Sequence, residues 1–165
     1  TGFLENTLEL NEDGGIAVDE YLQAEEDIYA AGDVASFPYW GSGEEVRVEH
    51  WRLAHQQGRL AGKNMTGSME KYRSVPLFWT NQFDIYLRYI GYADSWDEVI
   101  FDGDISEKRF TGYFVEDGQV LAAAGVNVNQ KMAALSELMI EDELPEPEEV
   151  RSDGFDPVDK LRELG

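Results

Sequence analysis

Apolar and polar residues alternate over short stretches in the first part of the chain, a pattern that predicts strands rather than helices. Residues 15–21 are predicted to form a strand and a turn, and residues 28–31 a short buried strand that stops at Gly32-Asp33. Residues 36–45 contain one proline and two glycines, which predicts a loop. The first part therefore contributes two short strands and their connections.

The hydrophobic period changes to three and four residues after this loop, which predicts a helix over about 50–64. The apolar and small residues that define its face are Trp51, Ala54, Gly58, Ala61 and Met65. Gly58 and Gly62 weaken an isolated helix by about 1 kcal/mol each relative to alanine. We expect close packing of this face against a sheet to explain both glycines, and Gly67 to stop the helix.

A change of composition over 70–76 marks a domain boundary, and short strands follow it. The predicted strands cover residues 86–92, 98–102, 108–115 and 120–128. Asp117-Gly118 has the signature of a short hairpin turn between the last two strands. The second part of the chain is therefore predicted to begin with antiparallel strands.

Two helices separated by an acidic segment are predicted at the end of the chain. Residues 129–139 have helical spacing of apolar positions. The residues on the apolar face are Met132, Leu135 and Met139. The acidic, proline-containing segment 141–149 is predicted to be an exposed linker. Asp156-Pro157 is predicted to open a short final helix, because proline is favoured at the first helical position.

Composition excludes several classes of protein. Hydrophobic residues make up 42% of the chain, enough for a core, and no apolar run reaches the roughly 18 residues that cross a bilayer. The N-terminus has no basic region followed by an apolar segment, so we expect no signal peptide and a cytoplasmic location. The absence of cysteine excludes disulfides, thiolate metal sites and a redox-active cysteine pair. We predict no metal site, because Asp102-Gly103-Asp104 lacks the later glycine and glutamate of a calcium loop.

The net charge of −21 is extreme for 165 residues. It argues against nucleic acid and anionic membranes as partners, because both are bound through lysine and arginine. Two explanations stay open. The acidity solvates the chain in a high-salt cytoplasm, which its even spread along the sequence favours, or it attracts a basic partner.

The segment Gly32-Asp33 has the composition of a ligand-binding turn. Gly32 lets backbone approach a ligand closely because it has no Cβ. Asp33 places a carboxylate at the end of a strand, where open α/β sheets bind ligands. No G-x-G-x-x-G follows a strand, so the cradle for a dinucleotide pyrophosphate is absent from this sequence. On these residues alone, an ordinary strand-end turn remains the alternative.

Four motifs occur in a characteristic order along the chain. They are Ile28-Tyr29-Ala30-Ala31-Gly32-Asp33, Val48-Glu49-His50-Trp51, Val75-Pro76-Leu77-Phe78-Trp79-Thr80 and Leu87-Arg88-Tyr89-Ile90-Gly91-Tyr92. In this order they resemble the C-terminal third of the FAD-dependent ferredoxin-reductase and apoptosis-inducing-factor family, and most of all its apoptosis-inducing-factor-like branch. The first resembles the second flavin fingerprint of that family. The resemblance covers about 16–139 and departs from the pattern at Gln23, where the fingerprint usually begins with threonine.

The resemblance implies a flavin site. The residues it assigns to the cofactor are Gly32, Asp33, Val34, Glu49, His50, Trp51 and Trp79. It implies that Asp33 holds a ribityl hydroxyl of FAD, and that Glu49 and His50 also lie near the nicotinamide. N–H groups at the start of a helix carry partial positive charge, which would stabilise the reduced flavin ring. No residue is expected to be catalytic. Taken singly, His50 and Trp79 have ordinary explanations as a helix flank and a core residue.

The architecture implied by the resemblance is α/β plus α+β. Residues 1–70 would be the C-terminal piece of a Rossmann-like FAD-binding domain. Residues 71–143 would be a reductase C-terminal domain with an antiparallel sheet and helices, used as an interface or for dimerisation. Residues 144–165 would be an acidic linker and a short terminal helix. The implied function is part of an FAD-dependent NAD(P)H oxidoreductase that passes electrons to a ferredoxin- or Rieske-type iron–sulfur protein.

Binding of FAD and NAD(P)H would need an N-terminal part beyond this sequence, so we expect little or no catalysis from the chain alone. The alternative is a non-enzymatic interaction or dimerisation module. The acidity is a difficulty for the first interpretation, because ferredoxins are usually acidic and would be repelled at low salt. Unpaired strand edges are expected to be covered by packing or self-association, so a homodimer stays open. The electron acceptor and the choice between NADH and NADPH stay open too.

Overall fold

The computed structural model of the protein describes residues 1–4, 7–8 and 10–165 and divides into two compact units. The first unit is Thr1–Ser74 and the second is Val75–Gly165. No helix within the described ranges is long and apolar enough to cross a membrane.

The first unit combines short strands with one long helix. Its elements are a 3-10 turn at Gly2–Leu4, the strands β1 (Ile16–Ala17), β2 (Gln23–Glu25), β3 (Ile28–Tyr29), β4 (Ala35–Pro38) and β5 (Glu45–Val46), and the helix α1 (Trp51–Asn64). β4 lies between β1, to which it is parallel, and β5, to which it is antiparallel. β2 and β3 form a separate antiparallel pair. The predicted helix is therefore confirmed within a residue.

The buried strand of this unit lies later than the sequence predicts. β3 ends at Tyr29, and Ile28 is exposed rather than buried. The buried strand is β4, which overlaps the predicted loop at residues 36–38 and buries Ala35, Ser36 and Phe37. Its proline stands at the last position, where an interrupted strand ladder costs least. The expected loop is thus confined to the connection between β4 and β5.

The expectation that Gly58 and Gly62 pack closely against a sheet is wrong. Both are exposed, and a Cβ at either position would meet no atom within 4 Å. The buried face of α1 is formed instead by Leu53, Gln57, Ala61 and Asn64. Two of these four are polar, which is why the apolar period did not reveal the true contact face.

The second unit is an antiparallel sheet with helices, as predicted, and the sheet has five strands. Its elements are β6 (Leu77–Gln82), β7 (Ile85–Gly91), β8 (Glu98–Asp104), β9 (Arg109–Glu116), β10 (Gln119–Val126), α2 (Asn129–Ile140), α3 (Pro147–Arg151) and α4 (Pro157–Leu164). The strand order is β6-β7-β10-β9-β8. The four predicted strands lie within two residues of β7 to β10, while β6 was not predicted.

The helix α2 packs against β7 and β10 and carries the core of this unit. Its predicted apolar face is confirmed, since Met132, Leu135 and Met139 are all buried. The packing is close enough that a Cβ at Gly125 would overlap Met132. Gly91 has φ of +82°, and a Cβ there would lie 2.8 Å from Met139 Cε. These two glycines of the sheet therefore allow α2 to lie directly on the backbone.

The acidic segment after α2 is not an exposed linker. Pro145 and Pro147 are buried, and so is Val150 in the helix α3. Lys160 Nζ lies 2.9 Å from Glu149 Oε2, which ties α3 to α4. The high density of carboxylates concealed the three apolar residues by which this segment is buried within the second unit.

Candidate functional site

The Gly32-Asp33 motif forms a tight turn held against the helix α1. Gly32 has φ of +82°, and the turn is closed by a bond from Ala35 N to Gly32 O at 2.9 Å. Gly32 N donates to Oε1 of the buried Gln57 at 2.7 Å. A Cβ on Gly32 would lie 3.1 Å from Ala54 Cβ. Glycine is thus required here by both the backbone and the helix beside it.

The turn leaves the Asp33 carboxylate open. Asp33 is exposed, and its carboxylate has no hydrogen-bond or ion-pair partner within residues 1–4, 7–8 and 10–165. Its carbonyl oxygen, by contrast, accepts a bond from Arg47 Nη1 at 3.0 Å. Val34 is 38% exposed, and its carbonyl accepts from Ile16 N at 2.7 Å, which joins the turn to β1. The backbone is therefore fixed while the acid side chain remains available.

Arg47 joins three parts of the first unit. Its Nε lies 2.7 Å from Asp13 Oδ2, and its Nη1 lies 3.3 Å from Glu49 Oε1 as well as bonding to the Asp33 carbonyl. The Gly15 N–H and, after it, the Arg47 guanidinium hold the pKa of Asp13 below its usual value. The Gly32 turn and the segment leading into α1 are consequently held side by side by one guanidinium.

The helix α1 begins at the predicted motif. His50 has extended backbone (φ −151°, ψ 132°), and Ala54 N donates to its carbonyl at 3.0 Å, the first bond of the helix. The rings of His50 and Trp51 are 5.8 Å apart, and Trp51 is 66% exposed. The side chain of Glu49 is 62% exposed. This helix start therefore combines a positive dipole end with an exposed aromatic surface.

Trp79 lies in the second unit, whereas the other six predicted site residues lie in the first. It is half-buried on β6, where its partner in the antiparallel register is Arg88 of β7. Arg88 Nε donates to Asn129 Oδ1 at 2.7 Å. Within the first unit, Gly32, Asp33 and Glu49 are brought together through Arg47.

Two residues that organise this arrangement were missed from sequence. Arg47 is one of only six basic residues among the first 74 and lies two positions before Glu49 of the predicted motif. Both facts could have identified it from the sequence as a candidate partner for the acidic residues of the site. Gln57 is polar at a position where helical spacing from Leu53 predicts burial, and such a buried amide must bond to something. Across the described ranges, no group of three or more acidic or histidine side chains is arranged to hold a metal ion.

Two protein families match the chain. Residues 77–164 match the family described as "Reductase C-terminal", and residues 2–58 match "Pyridine nucleotide-disulphide oxidoreductase". The first match alone covers more than half of the sequence. Together with the antiparallel sheet and helices of the second unit, the first match defines the class of protein as one that carries a reductase C-terminal domain. The chain belongs to the family that carries this reductase C-terminal domain, and the resemblance read from the motifs is confirmed.

Relatives and solved structures agree with this assignment. The chain is 34% identical over 142 residues to "Apoptosis-inducing factor 3" of Mus musculus, covering 84% of this chain and 24% of the relative. It is 31% identical to the "Anthranilate 1,2-dioxygenase system ferredoxin--NAD(+) reductase component" of Burkholderia cepacia, covering 86% and 35%. The solved ferredoxin reductase for the CYP199A2 system of Rhodopseudomonas palustris has a TM-score of 0.83 at 27% identity, covering 96% and 39%. The chain thus spans about a quarter to two fifths of these proteins.

Proposed function

We propose that this chain forms part of an FAD-dependent NAD(P)H oxidoreductase that passes electrons to a ferredoxin- or Rieske-type iron–sulfur protein. The observation that carries the proposal is the Gly32 turn, which leaves the Asp33 carboxylate open beside the start of α1. In this proposal, residues 1–70 belong to an FAD-binding domain and residues 71–143 to the reductase C-terminal domain. The protein acts in the cytoplasm.

The residues of the turn suit a flavin. An open carboxylate accepts hydrogen bonds from ribityl hydroxyls, and Asp33 has no competing partner among the described residues. Gly32 and Val34 bring backbone to the same place, and Gly32 adds no side chain that would hold a ligand away. The bond from Arg47 to the Asp33 carbonyl fixes the turn before anything binds. The proposed contact therefore needs no rearrangement of the loop.

The start of α1 is proposed to face the flavin ring. The segment Glu49, His50 and Trp51 leads into a helix whose first N–H groups carry partial positive charge, which favours an electron-rich ring edge. Trp79 offers a flat aromatic surface for the flavin or the nicotinamide. FAD, when bound, supplies the hydride and single-electron chemistry. The residues of this chain bind and orient; none of them is proposed as an acid or base.

A basic segment that contains α1 supports an acidic iron–sulfur partner. Residues 47–73 contain six basic and two acidic residues, whereas the remaining residues contain seven basic and 32 acidic ones. Arg52 and Arg59 are seven positions apart and so share one face of the helix. Neither has an ion-pair partner among the described residues. This face would attract an acidic protein that the rest of the molecule repels, which answers the objection raised by the net charge.

The flavin contact is tested by Asp33→Asn in the complete gene product. Asparagine keeps the size of the side chain but removes the charge that strengthens a bond from a hydroxyl, a loss of about 1–2 kcal/mol. We expect FAD affinity, measured by fluorescence titration of the apoprotein, to fall about tenfold. Asp27→Asn, at another exposed aspartate beside β3, is the matched control. Equal FAD affinity in the wild type and both variants would remove Asp33 from the site.

A second candidate function is a non-enzymatic interaction module. The second unit is an antiparallel sheet with its own helices and its own core. In this candidate function, two copies of the chain associate through the second unit as a homodimer. The reductase and the module are compatible, because a reductase domain can also serve as an interface.

A further inference from the structure

Two turns of the second unit are held together at one end of its sheet. They join β6 to β7 and β8 to β9. Lys108 Nζ lies 3.2 Å from Asp84 Oδ2, and the Asn127 side chain donates to the carbonyls of Asp84 and Lys108 at 3.1 and 2.9 Å. We define the hairpin end as residues 82–88, 101–110 and 126–131. The bonds of Asn127 make this surface a fixed feature of the fold.

The hairpin end exposes large apolar side chains that the core does not use. Phe83 is fully exposed and has φ of +54°, a left-handed conformation that is rare for a bulky residue. Ile105, in the turn between β8 and β9, is 55% exposed. Phe101 and Tyr86 are 56% and 46% exposed but lie on opposite faces of the sheet. Phe83 and Ile105, in the two turns that the Lys108–Asp84 pair holds together, are therefore the apolar side chains that one contact could cover.

Positive and negative charges are equal in number at the hairpin end, although the second unit as a whole is strongly acidic. Its charged residues are Asp84, Asp102, Asp104, Glu107, Arg88, Lys108, Arg109 and Lys131. Four are acidic and four are basic, so the hairpin end has no net charge. The rest of the second unit carries sixteen acidic and three basic residues. Two copies of this chain therefore meet with least repulsion at the hairpin end.

We propose that the hairpin end is a self-association surface, on which a second copy of this chain packs its own hairpin end about a two-fold axis. In a two-fold contact, residue i of one copy meets residue j of the other, and residue j of the first copy meets residue i of the second. The surface must therefore be complementary to itself. Glu107 and Arg109 meet this condition, because they are close in sequence, exposed and opposite in charge. Neither has an ion-pair partner among the described residues. Glu107 of each copy would pair with Arg109 of the other around the Phe83 side chains.

The test is sedimentation equilibrium of the full chain in molar KCl, where repulsion between the −21 charges is screened. We expect a monomer–dimer equilibrium whose dissociation constant rises at least about tenfold in Phe83→Ser, since each dimer loses two buried aromatic side chains. The matched control is Phe3→Ser, which removes an 86% exposed phenylalanine from the first unit and should leave the equilibrium unchanged.

A charge exchange tests the two-fold pairing separately. Glu107→Arg or Arg109→Glu alone should weaken the dimer, and the double variant should restore it, measured at the lowest KCl concentration at which the wild-type chain still dimerises. A chain that stays monomeric, or a dimer that Phe83→Ser leaves intact, overturns the proposal. This inference rests on the self-association named above and is independent of flavin. If sedimentation shows no dimer, the FAD affinities expected for the wild type and Asp33→Asn stay the same. If Asp33→Asn does not change the FAD affinity, the expected dimer also stays the same.

Discussion

At the scale of single residues, Gly32 and Arg47 determine how the candidate site is built. Gly32 combines a left-handed backbone with a close approach to Ala54. The sequence predicted a glycine that backbone can approach closely, but as a ligand contact, so the packing against α1 was not predicted. The role of Arg47 was not foreseen, because its three partners are 2 to 34 positions away and become neighbours only after folding. Sequence spacing finds local turns, but not a guanidinium shared between distant loops.

Replacing Gly32 with alanine tests whether the turn needs glycine. The change places a Cβ 3.1 Å from Ala54 Cβ in a backbone conformation that alanine disfavours. We expect the free energy of unfolding, from urea titration, to fall by more than about 1 kcal/mol. Gly43→Ala is the control, because Gly43 shares the positive φ and a Cβ added there would meet no atom within 4 Å. A loss at Gly32 no larger than that at Gly43 would show that the contact with α1 is unimportant.

At the scale of elements, regular patterns were predictable and interrupted ones were not. α1, α2, α4 and the four strands β7 to β10 follow clear periods in the sequence. β6 was missed because its six residues follow Pro76 closely and include no clear alternation of buried positions. β4 was assigned to a loop because of its terminal proline, and α3 to a linker because of its carboxylates. In each case, pairing or burial overrode the local signal.

The face of α1 that holds Arg52 and Arg59 is expected to bind the acidic electron acceptor. In the complete gene product, Arg59→Glu reverses one charge on this exposed face. We expect the KM for an acidic ferredoxin to rise about tenfold at low salt and by less in molar salt, with turnover of a small uncharged quinone unchanged. Arg162→Glu makes the same charge change on α4 and should have little effect. An unchanged KM for ferredoxin in Arg59→Glu would refute docking on this face.

At the scale of the whole molecule, the net charge of −21 dominates. Ten ion pairs are described, and most of them are exposed, so they offset only part of the repulsion among 34 acidic residues. The sequence alone predicts this repulsion. The charge is nevertheless uneven: the basic segment 47–73 can be read directly from the sequence, contrary to the even spread expected there, whereas the balanced hairpin end is assembled by the fold from three separate segments.

Thermal stability should therefore respond to salt. Between about 0.1 M and about 1 M salt, the Debye length falls from about 10 Å to about 3 Å, which screens repulsion across the surface. We expect the Tm, followed by circular dichroism, to rise as KCl is increased over this range. An equally strong rise with sucrose at constant ionic strength would point to general exclusion effects instead. A flat response to KCl would contradict the view that self-repulsion limits stability.

If these two units belong to a flavoprotein reductase, the purified complete gene product absorbs in the flavin region. Its absorbance spectrum should be recorded before and after addition of NADH or NADPH. We expect a flavin band that bleaches with one of the nucleotides, which would also identify the electron donor. A folded, colourless protein that cannot be reconstituted with FAD would contradict this expectation, and the interaction module would then be the better description.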